Sequence, residues 1–325
     1  MNDIKKEQTT TIKIYREFFA KAQAEVKKQL ATIKTPSSCN GCNQCCKIRY
    51  TELSPEELKN SEYNDFLETF VPLGISNEAE ISLEKNHQMA LKIDKNYVEK
   101  VIKNSDKDCW FYTCKYLQDN KCQKGKEKPL YCNSYPQSAY LILHKDCGFK
   151  TWQEQCLKKL ENEMAKDILE KIKNIDEYKN TFSCGCCATC CKIASSEFSY
   201  EELKEKAQKG DNFAKQFTSV FIPYEDENEA RKYYGEYIDY LHETLGPNEK
   251  VYFYHCPKNK DNLCSDYENR PEICKEFPTN PLMVLPKCCA YKPWQEETHT
   301  ATLLLHALVE IIDFYIKKIK KVLWF

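Results

Sequence analysis

Twenty cysteines in a chain of 325 residues are the side chains best suited to do chemistry in this protein. Two short segments, Cys39–Ile48 and Cys184–Ile193, carry the same pattern, CxxCxxCC followed by Lys-Ile. A thiolate is a soft, charged ligand that prefers zinc, iron or copper(I). A CxxCxxC loop can also wrap around an iron–sulfur cluster, as it does in ferredoxins. The spacing therefore predicts two metal-binding segments.

The cysteines downstream of each motif are also spaced alike. In both copies an aromatic triplet precedes three cysteines separated by seven and nine residues, and a last cysteine lies five positions before a tryptophan. One module therefore occurs twice, and we predict sixteen metal ligands. They are Cys39, Cys42, Cys45, Cys46, Cys114, Cys122, Cys132 and Cys147 in the first copy, and Cys184, Cys187, Cys190, Cys191, Cys256, Cys264, Cys274 and Cys289 in the second.

The number of ligands predicts more than one centre in each copy. A structural zinc ion takes four ligands, and so does an ordinary four-iron cluster. Eight thiolates therefore indicate two centres, or one larger cluster with cysteines left over. Adjacent cysteines point in different directions and suit two centres better than one. We expect the first three cysteines and one downstream cysteine to form one centre and the other four to form the second.

Several other residues have an alternative interpretation. Cys109, Cys156, Cys186 and Cys288 have no counterpart in the other copy and are predicted to be small buried apolar residues. His255 lies beside Cys256 and is a further candidate ligand, although Thr113 occupies the matching position. Arg270 could meet an anionic ligand or tie its loop to a backbone carbonyl, and we favour the second interpretation.

Three long helices are predicted to position these cysteines. Apolar residues recur at helical spacing in residues 11–34, 152–175 and 298–323. The fold class is therefore predicted to be mainly α, with two repeated helix-plus-irregular-loop lobes organised by Cys-ligated metal centres. The predicted domains are an N-terminal helix (1–38), a first lobe with its trailing helix (39–180) and a second lobe with the C-terminal helix (181–325).

Shorter elements are predicted within each lobe. Ser54–Glu57 and Ser199–Glu202 are capping boxes that predict a helix after each motif. A further helix is predicted between residues 78 and 107, and Tyr140–Leu143 is predicted to form a short strand. Tyrosines at 233, 234, 237 and 240 have helical spacing, and we interpret them as packing residues rather than as a cofactor site.

Charge and hydropathy narrow the class of protein. The formal net charge is −1, so nucleic acid is not an expected partner. No uncharged apolar run of membrane-spanning length and no secretory leader is seen, so we expect a cytoplasmic protein without a transmembrane segment. In that compartment cysteines indicate metal rather than disulfides, which are the alternative. The apolar, lysine-flanked C-terminal helix suits packing better than contact with a membrane surface.

The cysteine pattern resembles a known bacterial family. CxxCxxCC with a downstream C…RP…C…FP pattern is similar to the YkgJ-like family, described as zinc- or iron-chelating. The match is best at Cys184–Cys191 with Cys264–Pro278, whereas the first copy has Lys128-Pro129 and Tyr135-Pro136 at the corresponding places. The resemblance covers roughly residues 39 to 155 and 184 to 294, and it is specific for the family rather than for a reaction.

Two functions follow as expectations. The first is a Cys-ligated metal-binding protein in metal handling, electron transfer or scaffolding, with iron–sulfur clusters favoured over zinc as the cofactor and metal ions as the partners. The second comes from the resemblance, because the family includes the flagellin lysine N-methylase. It implies an S-adenosylmethionine-dependent enzyme with a protein substrate. The sequence has neither a GxGxxG fingerprint nor a CxxxCxxC radical motif, and no catalytic residue can be assigned.

Overall fold

A computed structural model describes residues 2–34, 41–74, 81–125, 127–133, 135–245 and 249–323. About 55% of the chain is helical, and the strands form small antiparallel sheets. The prediction of a mainly α fold is therefore confirmed. Cys39 lies outside the described residues, so its predicted role as a ligand has no structural counterpart here.

The chain divides into two compact units. The first-lobe unit comprises residues 23–167 and 309–325, and the second-lobe unit comprises residues 1–22 and 168–308. The described cysteines between Cys42 and Cys156 belong to the first-lobe unit, and those between Cys184 and Cys289 belong to the second-lobe unit. Each unit thus contains the cysteines of one predicted module.

The N-terminal half of the chain begins with the long helix α1 (Asn2–Ala31). The elements that follow are α2 (Gln44–Lys47), β1 (Arg49–Thr51), α3 (Pro55–Lys59), α4 (Phe66–Thr69), β2 (Phe70–Pro72), α5 (Leu83–Ile93), α6 (Lys95–Asn104), β3 (Trp110–Cys114), β4 (Leu117–Gln118), β5 (Lys121–Cys122), α7 (Leu130–Asn133), α8 (Lys150–Lys158), a π-helical segment (Lys159–Met164) and α9 (Ala165–Lys179).

The C-terminal half has a similar order of elements. They are α10 (Thr189–Lys192), β6 (Ala194–Ser196), α11 (Tyr200–Gln208), α12 (Asn212–Val220), β7 (Ile222–Pro223), α13 (Glu227–Thr244), β8 (Tyr252–His255), β9 (Asn259–Lys260), β10 (Leu263–Cys264), α14 (Glu272–Glu276) and α15 (Lys292–Leu323). The three long helices and the tyrosine helix form where periodicity predicts them, with a π-helical segment inside the second long one. Two helices, α5 and α6, lie between residues 78 and 107, where one is predicted. Helix α13 is kinked at Tyr234.

Each unit has one three-stranded antiparallel sheet with the aromatic triplet in its central strand. The strand orders are β1-β3-β2 and β6-β8-β7. Phe111 pairs with Tyr50, and Phe253 pairs with Ser195. Phe111 is fully buried and Phe253 is nearly so, which places apolar rings of both central strands in the core. A two-stranded hairpin follows each sheet, β4-β5 and β9-β10.

The predicted strand at Tyr140–Leu143 is wrong, because this segment is irregular. The side chain of Gln153, in helix α8, donates to the carbonyls of Ala139 (2.9 Å) and Leu141 (2.7 Å). A buried side chain thus pairs with carbonyl groups that would otherwise need a neighbouring strand. The apolar run reflects burial of Ile142 and Leu143 rather than strand pairing.

Both predicted capping boxes are confirmed. Ser54 accepts from the backbone N–H of Glu57, and the Glu57 carboxylate accepts from the backbone N–H of Ser54 at 2.7 Å. Ser199 and Glu202 form the same pair of hydrogen bonds. The caps fix where α3 and α11 begin, directly after the edge strand that follows each CxxCxxCC motif.

The C-terminal helix α15 is long and apolar enough to cross a membrane by length and composition alone. Its most apolar window has a mean hydropathy of 1.3, and 33% of that window is buried. Within the first-lobe unit, Val322 of this helix belongs to the core that also contains Val98, Val101 and Phe111. Lys100 donates to the Val322 carbonyl at 2.8 Å. These contacts agree with the prediction that the helix packs against protein.

Candidate metal centres

A short helix carries the adjacent cysteines of each motif. Helix α2 contains Cys45 and Cys46, and helix α10 contains Cys190 and Cys191. The residue before each helix has a positive φ, 57° at Asn43 and 60° at Ala188. This left-handed residue turns the chain sharply from the CxxC loop into the helix. Adjacent residues on a helix point about 100° apart, so each motif directs its last two thiols toward different surroundings.

In the first-lobe unit, Cys46 and Cys132 pack against the apolar cluster that contains Cys114, and Cys122 acts electrostatically on Cys132. The thiols of Cys46 and Cys114 are hydrogen-bonded, which favours the Cys46 thiolate, but a hydrogen bond with Cys45 and burial raise the pKa of Cys46 to about 12. The same bond with Cys46 and burial raise the pKa of Cys114 far above its usual value. Burial and the neighbouring Cys114 also raise the pKa of Cys132, and Cys122 adds to that rise. We call these four residues the first-lobe inner group.

The other described ligand candidates of this unit lie in different surroundings. Cys45 and Cys147 pack against an apolar cluster that contains Tyr135 and Phe149. Cys42, which precedes them in the motif, is partly buried. We call Cys42, Cys45 and Cys147 the first-lobe outer group. Cys39 would complete a set of four.

The second-lobe unit repeats the first division. Burial raises the pKa of Cys274 to about 11, and Cys191, Cys256 and Cys264 each add to the rise. Cys256 lies in an apolar cluster against which Cys191 and Cys274 pack. The backbone N–H of Cys256 donates to the Cys191 carbonyl at 2.7 Å, which fixes strand β8 beside helix α10. These four cysteines form the second-lobe inner group.

The remaining four cysteines form the second-lobe outer group. A hydrogen bond with Cys191 and burial raise the pKa of Cys190, and Cys184 and Cys187 add to that rise. The same hydrogen bond lowers the pKa of Cys191, because a neutral Cys190 thiol donates to it. Burial raises the pKa of Cys289, and Cys187 and Cys184 add to the rise. The thiols of Cys190 and Cys191 are hydrogen-bonded across this division, and the assignment of four thiols to each centre stays a prediction.

One cavity of about 670 Å³ joins the two groups of the second-lobe unit. All eight of its aligned cysteines line this cavity, namely Cys184, Cys187, Cys190, Cys191, Cys256, Cys264, Cys274 and Cys289. Tyr234, Tyr237 and Tyr240 of α13 line it as well. The hydroxyl of Tyr237 is hydrogen-bonded to Ser195 Oγ at 2.7 Å. The tyrosines therefore lie at helical spacing, as predicted, but they also face the space that the thiols surround.

In the described part of the chain, no three His, Cys, Asp or Glu side chains converge closely enough to share one metal ion. Cys46 and Cys114 are hydrogen-bonded, and the other thiols of the inner groups influence one another electrostatically. One buried polar atom supports their role as ligands. Asn259 Nδ2 is buried without a well-formed hydrogen bond, and the Asn259 amide lies close enough to Cys191 to lower the pKa of that thiol by donating toward its sulfur. A thiolate held at this position would supply the missing acceptor.

The four cysteines without counterparts in the other copy differ in burial. Cys109 and Cys156 are buried at 2% and 0% exposure, as predicted. Burial alone accounts for the raised pKa of Cys156, to about 12, with no contribution from another thiol. The prediction of burial is wrong for Cys288, which is exposed, and for Cys186, which is only partly buried. Both lie on loops of the second-lobe unit, where neighbouring cysteines rather than apolar side chains surround them.

The remaining candidates have local partners. His255 packs against the ring of Tyr224, with ring centroids 4.7 Å apart. Arg270 donates from Nε to the carbonyl of Tyr267 at 3.0 Å, as the favoured interpretation of that residue predicts. Every cysteine in the described ranges is a free thiol.

Two site residues were missed in the sequence, Arg49 and Asn259. Arg49 directly follows Lys-Ile of the first motif, and Ala194 stands at the same place in the second. Asn259 follows Cys256 by three residues, where the first copy has Leu117. A comparison of the two copies that looked for polar residues found in only one of them would have marked both.

Comparisons with known proteins add no assignment. No model of a known protein family matches the chain. No curated protein and no solved structure matches it either. The resemblance to the YkgJ-like family therefore stays a prediction that rests on the motif residues.

Proposed function

We propose that this chain is a Cys-ligated metal-binding protein made of two copies of one module, each with two four-thiolate centres. The observation that carries the proposal is the second-lobe cavity, because all eight aligned cysteines of that module line it. The inner and outer groups divide them four and four. Four thiolates are the complete ligand set of a structural zinc ion or of a four-iron cluster.

The repeated module is supported by matched elements as well as by matched cysteines. Both sheets have the same strand order, both capping boxes occur at the same place after the motif, and both hairpins follow the central strand. A cis peptide bond precedes Pro136 in one copy and Pro278 in the other. Gln153 and Gln295 each donate to two backbone carbonyls in corresponding loops.

Iron–sulfur clusters are favoured over zinc by the spacing of the thiols. A zinc ion draws its four sulfur atoms to about 2.3 Å, which leaves no space between them for other atoms. No three thiols in the described ranges are placed to share one ion, and the eight aligned thiols of the second-lobe unit line a cavity of about 670 Å³. A centre made of several atoms fills that space better than an ion. Metal handling, electron transfer and scaffolding are all consistent with such centres.

Metal analysis of protein purified under nitrogen tests the proposal. We expect iron with a matching amount of acid-labile sulfide, and a visible absorption that bleaches on exposure to air. Zinc at about four ions per chain would support the same ligands with the other metal. Folded protein that carries neither metal would refute the proposal.

A matched pair of variants assigns the metal to the predicted ligands. Cys132→Ala removes one thiol of the first-lobe inner group, so we expect the loss of about one of the four centres. Cys156→Ala removes a buried thiol that has no other cysteine as a neighbour, and should leave the metal content unchanged. Equal metal content in the two variants would contradict the assignment.

A second candidate function is the protein lysine N-methylase implied by the family resemblance. The volume of the second-lobe cavity lies within the range of small-molecule sites, and its tyrosine wall offers an apolar surface beside the thiols. Anaerobic incubation with methyl-labelled S-adenosylmethionine and bacterial cell protein should then label protein lysines. Failure to label any fraction, with metal-replete protein, would count against this function.

A further inference from the structure

Arg49 is a buried cation without a carboxylate partner in the described residues. Its side chain lies on β1, immediately after the first motif, and is only 6% exposed. Four aromatic rings surround the guanidinium carbon at 4.5 to 5.9 Å, those of Phe66, Phe70, Tyr131 and Tyr135. Aromatic faces attract a cation but carry no net charge. Burying a charge is costly unless an opposite charge lies nearby.

Predicted ligands are among the groups near Arg49 that can carry negative charge, and the charge of Arg49 acts on Cys132. Phe66 and Phe70 belong to the apolar cluster against which Cys46 and Cys132 pack. Tyr135 belongs to the cluster against which Cys45 and Cys147 pack. Arg49 contacts rings of both clusters, so its charge lies between the inner and outer groups of the first-lobe unit.

The second-lobe unit has a cation in a similar place, but from a different position in the sequence. Ala194 replaces Arg49, whereas Arg270 stands where the first copy has Lys128. Arg270 packs on the ring of Tyr267, 3.6 Å from its centroid. Arg270 lines the cavity that the thiols of both groups border, and its charge acts on Cys191 and Cys274 of the inner group. It also acts on Tyr291, which lies near Cys184 and Cys289 of the outer group.

We propose that each module places one arginine between its two thiolate groups as a counter-charge and positioning residue, Arg49 in the first lobe and Arg270 in the second. This inference rests on the proposed metal binding. Four thiolates around a divalent ion leave a net charge of about −2, which a fixed cation stabilises. Because the two arginines come from non-equivalent positions, the charge, rather than the packing of one particular side chain, is the feature that both modules have in common.

Removing or keeping the charge tests the proposal. We would measure the rate at which a chelator removes the metal that the protein carries when purified under nitrogen. In Arg49→Ala the metal of the first lobe should be lost roughly ten times faster, while the metal of the second lobe is lost at the wild-type rate. In Arg49→Lys the charge stays at the same place, and most of the slow rate should be kept.

The reciprocal pair tests the other lobe. Arg270→Ala should speed metal loss from the second lobe, and adding Ala194→Arg should slow it again. Arg231→Ala is the control, because Arg231 forms ion pairs with Glu227 and Asp239. It should keep the wild-type rate.

The outcomes separate this proposal from the proposed function. Wild-type protein that carries no metal refutes metal binding itself. If wild-type protein carries metal but Arg49→Lys loses it as fast as Arg49→Ala, or Ala194→Arg does not rescue Arg270→Ala, the counter-charge is refuted and metal binding stays intact. If Arg49→Ala does not fold, loss of first-lobe metal from Arg49→Lys at roughly ten times the wild-type rate would likewise oppose the proposal.

Discussion

At the scale of single residues, the two lobes combine identical thiols with different polar neighbours. The aligned cysteines occur at the same spacing in both copies, whereas Arg49 and Asn259 each occur in only one. Thiolates that bind metal have little freedom in position, because the distance and angle of each sulfur are fixed by the centre. A counter-charge acts over a longer range, so it can be supplied from more than one position.

The capping residues allow a direct comparison between the lobes. Hydrogen bonds from the backbone and hydroxyl of Ser54 hold the pKa of Glu57 below its usual value. Hydrogen bonds from Ser199 do the same for Glu202. In Ser54→Ala the pKa of Glu57 should rise toward its ordinary value, and the protein should lose about 1 kcal/mol of stability. Nuclear magnetic resonance titration and urea unfolding would measure the two effects.

The sign of the pH dependence follows from the direction of these shifts. A carboxyl whose pKa is lower in the folded state stabilises the fold above its unfolded pKa, and this contribution is lost as the pH falls through the folded value. The contribution of each cap should therefore disappear in acid, so the stability difference between wild type and Ser54→Ala should shrink there. A difference that grows as the pH is lowered would contradict this account of the cap.

At the scale of elements, periodicity predicts the long helices but not the sheets. Residues 298–323 form part of α15 because apolar residues that recur over many turns share one face only in a helix, where they can be buried together. Strands of two or three residues, such as β1 and β7, are too short to show alternation. The aromatic triplets predict central strands only once their edge partners are known, and those partners are separated from them in sequence by one or more helices.

The same limit applies to the site. The spacing of the cysteines predicts eight ligands in each copy but does not fix which of them share a centre. The sequence does not predict that Arg49 lies between them, because the four rings around it come from α4, β2, α7 and the loop after α7. Only the folded chain brings these elements to one place.

A buried amide connects helix α5 to the sheet of the first-lobe unit. Asn86 is fully buried, donates to the carbonyls of Leu73 and Phe111 at 2.9 Å, and accepts from the backbone N–H of Phe111 at 2.8 Å. Asn86→Leu would remove this partner from the Leu73 carbonyl and the Phe111 N–H, whereas the Phe111 carbonyl keeps the N–H of Leu73, so we expect a loss of about 3 kcal/mol in urea unfolding. Gln88→Leu, at an exposed position of the same helix, should change stability by less than about 0.5 kcal/mol. Equal losses would contradict the role of the amide.

At the scale of the whole molecule, the cores of the two units have cysteines at their centres. Cys114 and Cys256 are buried within the apolar clusters of their own units, and further thiols pack against both. The aligned cysteines therefore occupy positions that apolar side chains fill in an ordinary domain. If these thiols bind metal, the metal supplies part of the free energy of folding, because the unfolded chain has no preformed site.

Metal removal should therefore unfold the lobes rather than merely empty them. A structural metal centre contributes roughly 10 kcal/mol or more, which is comparable to the total stability of a domain. We expect a strong chelator, in reducing buffer, to abolish the cooperative thermal transition and the near-ultraviolet aromatic signal. Thiol counting on the same denatured sample should give about twenty reactive groups, which separates metal ligands from disulfides.

Cys156→Ala provides the matched control, since it removes a buried sulfur atom that is not a predicted ligand. This variant should lose stability by roughly 1 to 2 kcal/mol through the lost packing, and should still respond to the chelator as the wild type does. Retention of a sharp thermal transition by metal-free wild-type protein would show that the apolar clusters suffice to hold each unit. The cysteines would then have to be explained by something other than stability. A duplicated set of sulfur ligands with no effect on folding would instead serve to bind a partner or to transfer electrons.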